Sequence, residues 1–168
     1  MRTGFCNCAG IYLPGNVEVL AAGGTLTESI NLFAITGTVE ITSLFCEVTT
    51  VFSAGALDTA FFNLYDGAAA VAITLNDGVV SSLGVGSVFG KTGLVTETMS
   101  IISNADGVVT EHATEELVRK RFIVTQKTGQ ATYIRFTYTN DNVAAATGGF
   151  RPIVYWLPVT LGATVTRA

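Results

Sequence analysis

Apolar and polar residues alternate along most of this chain, with the two-residue period of strands that have one dry face. In "ATYIRFTYTN", Ile134, Phe136 and Tyr138 fall on one side, and Tyr133, Arg135 and Thr137 on the other. "NVEVLAA" alternates at Val17 and Val19. "ESINLFAIT" sets Ile30, Leu32 and Ala34 against Phe33 and Ile35, so both faces of that strand are apolar. "TVEITSLFCEVTTVF" is the longest β-rich run, and its inward parity changes from Val39 and Ile41 to Leu44, Cys46 and Val48. Such a change predicts a β-bulge or a strand that passes between sheets. Strand patterns recur about every ten residues with Gly, Asp and Asn between them, the habit of a sandwich or barrel. The expected fold is all-β, an antiparallel, jelly-roll-like β-sandwich. "NADGVV" carries a hairpin signal at Asp106 and Gly107. Helical character is confined to "TEHATEELVRKRF", residues 110–122, where one turn near 113–117 is expected.

The closing stretch "FRPIVYWLPVTLGATVTRA" is dry on both faces, with Ile153, Tyr155 and Leu157 alternating against Val154 and Trp156. That predicts a central strand or a strand at a subunit contact. Pro152 and Pro158 lack N–H groups, so residues 153–157 are the expected paired core, with a turn at Gly162 and a further short strand or arm. The other end, residues 1–15, has no strong strand or helix signal and reads as an extended arm on a single domain of residues 16–168. Its apolar residues Phe5, Ile11, Tyr12 and Leu13 suit docking on another subunit or packing on their own domain.

Composition adds a surface problem. Of 168 residues, 49% are hydrophobic and 13% charged, with a mean hydropathy of +0.49. The usual charged share is about 25%. Either partners cover part of the surface, or Thr, Ser, Asn and Gly dress it. No apolar run approaches the ~20 residues of a membrane helix. No apolar h-region follows Arg2, so no signal peptide is expected. Between Thr3 and Gly90 there is no Lys or Arg; from Leu117 onward seven basic residues face Asp141 alone. This asymmetry fits complementary faces on neighbouring subunits, or early and late strands pairing in one sheet. The net charge of −4 argues against sequence-independent DNA binding.

Candidate chemistry is thin. Three cysteines with a lone Cys6-x-Cys8 pair make neither a disulfide framework nor a four-ligand zinc site, and fit thiols kept reduced in a cytoplasm. His112 lies in a polar segment with no nucleophile motif nearby. "GVGSVFG" has dinucleotide-loop glycines at the wrong spacing and no βαβ context. Among acidic pairs, Glu115 and Glu116 are adjacent, and Glu40 and Glu47 differ in parity. No catalytic residue, cofactor or metal is expected. Arg119, Lys120 and Arg121 either grip an acidic partner or guard a sheet edge against stray pairing.

Two stretches carry a family likeness. In "INLFAITGTVEITSLFCEVTTVFSAGA" (30–56) the pieces are Leu32-Phe33-Ala34-Ile35-Thr36-Gly37 and Val48-Thr49-Thr50. In "YWLPVTLGATVT" (155–166) it is the run from Pro158 to Thr166, with Val-Thr where Leu-Ser is commoner. These resemble a group of small tailed-phage virion proteins, some of which decorate or cement capsids. The resemblance implies a structural protein on the capsid exterior, made in the host bacterial cytoplasm, with the major capsid protein as partner. It brings no catalytic residues. A homotrimer follows from how such proteins sit at three-fold positions. The expected subunit or capsid contacts are Phe5, Ile11, Tyr12, Leu13, Arg119, Lys120, Arg121, Tyr155 and Trp156. Two other readings stand beside it: a tail or head-fibre protein, and a host-glycan-binding module that stacks sugars on Tyr65, Tyr133 and Tyr155.

Overall fold

The computed structural model describes residues 10–20, 27–53, 59–75, 80–91, 97–102, 121–140 and 147–168. The expected helical turn at 113–117, the Asp106–Gly107 hairpin, His112, Cys6 and Cys8 lie outside them.

Two antiparallel sheets pack face to face, and no helix occurs among the described residues. The first sheet has β1 (Ile11–Pro14), β2 (Glu18–Val19), β4 (Thr38–Thr50), β7 (Val88–Lys91), β8 (Ser100–Ile102), β9 (Phe122–Thr125) and β11 (Gly149–Pro158). Its order is β1-β11-β4-β7-β8, with β2 also on β11 and β9 also on β4. The second runs β12-β3-β10-β5-β6, from β3 (Thr27–Thr36), β5 (Thr59–Tyr65), β6 (Ala70–Ala72), β10 (Thr132–Thr139) and β12 (Thr164–Arg167).

The inward face of each sheet is aromatic. Phe136 and Phe62 from the second sheet lie 5.2 Å apart between ring centres, and Phe136 meets Phe89 and Phe150 of the first sheet at 5.6 and 5.2 Å. All four are 0% exposed. Offset and edge-on packing of this kind adds to plain burial.

The parity change in β4 is a bulge. Tyr155 on β11 pairs with Ser43, but Trp156 pairs with Ile41, so Thr42 is the extra residue. Val39 and Ile41 before it and Leu44, Cys46 and Val48 after it are therefore all buried. The bulge also corrects the expectation for Glu40 and Glu47: both alternate with buried residues and share the outer face. A further register shift near the end of β4 skips Thr49, between the pairs Gly149–Thr50 and Phe150–Val48, and a third irregularity is a bulge in β3, where the sequence reads as a plain two-sided strand. Ile134 pairs with Phe33 and Arg135 with Asn31, leaving Leu32 unpaired. Leu32 and Phe33 are consecutive yet both buried.

Strand β11 is central, between β1 and β4, and longer than the expected 153–157. Pro152 is tolerated inside it because a residue's N and C=O face the same neighbour. Its carbonyl accepts Gly15 N at 2.7 Å, in the gap between β1 and β2, so the missing N–H interrupts no ladder. After β11 the chain turns through Gly162, at φ +76, and crosses to the other sheet as β12. Arg167 Nε donates to the Pro14 carbonyl at 2.8 Å, tying β12 to β1.

Three crossings between the sheets meet at Gly37, the one-residue link from β3 to β4. Gly37 N donates to Gln126 Oε1 and its carbonyl accepts Gln126 N, in the β9–β10 link. Thr38 N donates to Thr160 Oγ1 at 3.0 Å, in the β11–β12 link. Gly37 has φ +69, and a Cβ there would stand 2.9 Å from Thr160 Oγ1 and 3.0 Å from Ala163 Cβ.

Two stability outcomes follow. Gly37→Ala should cost about 2 kcal/mol from the left-handed backbone alone, and more from the crowding. Phe136→Ala should cost about 3–5 kcal/mol by opening a cavity between the sheets. Urea unfolding followed by emission of the single tryptophan, Trp156, measures both.

Candidate interaction surfaces

The inward faces are closed, so function falls to the outer faces and edges. On the outer face of the first sheet, β1, β11 and β4 bring aromatic side chains into register. Tyr12 pairs with Tyr155, and Ile153 with both Pro14 and Phe45. The Tyr12 and Tyr155 rings lie 5.3 Å apart, and Phe45 stacks on Tyr155 at 6.3 Å. Gly90 lets β7 approach β4 closely beside Phe45, since a Cβ there would meet Phe45 Cβ at 2.5 Å. Tyr12 is 52% exposed. Farther along the same face, Ile123 and Leu157 flank Glu40, and Ile123 is 66% exposed. The β11–β12 turn at that end exposes Leu161 fully.

The outer face of the second sheet has another character. Tyr133 pairs with Tyr65, and Arg135 lies over the Tyr65 ring, its guanidinium carbon 3.4 Å from the ring centre. Arg135 Nε donates to Asn31 Oδ1 at 2.9 Å. Next along, Thr137 Oγ1 meets Ser29 Oγ at 2.9 Å and accepts Asn63 Nδ2 at 2.8 Å. This face is built of hydroxyls, amides and tyrosines.

The expected contact residues divide among several places. Ile11, Tyr12 and Leu13, expected within an arm, form β1 on the chain's own β11. Leu13 packs against the core, while Ile11 and Tyr12 remain about half exposed. Tyr155 faces outward, but Trp156 is 6% exposed within the core, its Nε1 without a partner. Arg121 forms an ion pair with Glu40 at 3.4 Å, beside β9. Phe5, Arg119 and Lys120 lie outside the described residues. The three tyrosines of the glycan reading are split, with Tyr65 and Tyr133 on one outer face and Tyr155 on the other. Tyr65 and Tyr133 could be placed together only through strand register, which parity alone does not supply.

The early acidic and late basic residues meet within the chain. Glu40 pairs with Arg121, Asp66 with Lys127, and Glu47 stands opposite Arg151. Burial pushes the Cys46 thiol well above its usual range, and nearby Glu18 adds to this. Cys46 thus acts as a small apolar core residue. No group of His, Cys, Asp and Glu among the described residues is placed to hold a metal ion. Compared with known proteins, the chain matches no family model, no curated protein and no solved structure.

Among the described residues, Asp66 is the carboxylate held far below its usual range. Lys127 Nζ donates to it at 2.7 Å, and the Ala69 and Ala68 amides donate at 2.7 and 3.0 Å. As pH falls, the unfolded chain takes up this proton first. The stabilisation from Asp66 is complete above its ordinary value of about 4 and fades as pH drops toward the lowered value. Unfolding midpoints taken from neutral pH into acid should therefore fall less steeply for Asp66→Asn than for the unaltered protein.

Proposed function

We propose that this protein is a structural virion component of a tailed bacteriophage, of the capsid-decoration or cement type. It binds the major capsid protein lattice from outside as a homotrimer and stabilises the head. The observation that carries this reading is the aromatic outer face of the first sheet, where Tyr12, Phe45 and Tyr155 form a contiguous cluster beside the buried Ile153. The cluster has the composition of an interface core, uncharged and rich in aromatics, with Glu40, Glu47 and Arg151 as a charged rim on the same face.

A second support comes from the two segments that resemble phage virion proteins. They lie far apart in sequence, yet β4 pairs with β11 and β3 with β12, and Gly37 touches Thr160 and Ala163. The likeness therefore falls on one physical unit of the sandwich. On this reading the module is jelly-roll-like, and its N-terminal arm reaches beyond β1 toward a neighbour.

Co-sedimentation with expanded empty capsids tests the proposal. The protein should bind them, raise their melting temperature and show the mass of three copies in solution. Tyr155→Lys should weaken binding while leaving the isolated protein folded. Failure to bind any capsid form overturns the reading.

A further inference from the structure

The outer face of the second sheet carries an arginine that the packing holds in place and that no carboxylate among the described residues neutralises. The bulge in β3 sets this up. Were β3 regular, Leu32 would stand opposite Arg135 on the outer face; the extra residue instead sends Leu32 into the core, 2% exposed, and brings Asn31 opposite Arg135. Asn31 then accepts Nε, and Tyr65 supports the guanidinium plane from beneath. With Nε engaged, the two Nη groups are left as a donor pair, and no carboxylate pairs with Arg135 among the described residues. Positions that share its face on β3, β10 and β5 hold Ser, Thr, Asn, Ala, Phe and Tyr, with no acidic residue. On the other side, Asn63 pairs with Arg135 and is 2% exposed, and its Oδ1 has no partner.

We propose that this face binds acidic saccharides, with Arg135 gripping the ligand's carboxylate. A guanidinium held by Nε and a ring presents its Nη pair in the plane that matches a carboxylate bidentately. Tyr133, next to Tyr65 in register, supplies an aromatic surface for the sugar ring. The exposed hydroxyls of Ser29 and Thr27 on β3 supply partners for sugar hydroxyls, while buried Thr137 and Asn63 hold Ser29 in place from beneath. A face with so little aliphatic surface suits a sugar better than a protein hot spot. The site lies on the opposite sheet from the aromatic cluster proposed to meet the capsid, so the two readings stand or fall separately.

NMR titration of the full chain tests this with sodium glucuronate and N-acetylneuraminate, against glucose and sodium acetate. Saturable shifts at the backbone amides of Asn31, Tyr133 and Arg135 are expected for both acidic sugars. Glucose and acetate should each bind at least about tenfold more weakly, because each lacks half of the recognition. Arg135→Gln should remove the preference for glucuronate over glucose, and Tyr133→Ala should weaken glucuronate without changing acetate. Equal binding of glucuronate and glucose, or the absence of shifts on this face, overturns the proposal. Acetate binding as tightly as glucuronate also overturns it, marking a bare anion site.

Discussion

Phe136 reaches across the sandwich to Phe89 and Phe150, and this contact makes the two sheets one body. It requires that one face of each sheet stay apolar along its full length, although the chain does not alternate perfectly. The bulges at Thr42 and Leu32 serve that requirement. Thr42 absorbs the mismatch in β4, and Leu32 absorbs it in β3. Their effects on the outside follow from the same residues: Glu40 and Glu47 come to share one outer face, and Asn31 comes to face Arg135.

The second constraint is the place where the chain changes sheets. Gly37, Gln126 and Thr160 belong to three different crossings and are hydrogen-bonded or packed together. A residue with a side chain fits poorly at Gly37, because the left-handed turn and the Ala163 backbone leave no room. At the neighbouring edge, Arg167 ties β12 to β1. The chain's last strand, β12, is thus fastened to β3 on one side and to β1 on the other.

The two outer faces differ in chemistry because they differ in what the strands place there. On the first sheet, Phe45, Ile153 and Tyr155 are outward residues of the most central strands, where a solvated sheet would carry polar side chains. On the second sheet, outward positions carry Asn31, Arg135 and Thr137; across the strands Arg135 donates to Asn31, and Thr137 bonds with Ser29. One sandwich therefore offers an aromatic surface and a polar one, back to back.

The sequence by itself determined the fold class, the inward residues of β10, the parity change in β4, the two-sided apolar pattern of β11 and the turn at Gly162. Each of these is written in a period of two, or in a glycine where the backbone must turn left-handed. It did not reveal the bulge in β3, since Leu32 and Phe33 are both apolar and a two-sided strand reads the same way. Nor did it reveal β1, whose four residues gain their partners only from β11. The extension of β11 through Pro152 depended on a gap between β1 and β2 that no local pattern encodes. Only the tertiary structure decided that Trp156 faces the core and Tyr155 the outside, joined Tyr65 to Tyr133 and set Arg135 against Asn31. Those are matters of register between strands distant in the chain, and register is fixed by burying both sheets' aromatic faces at once.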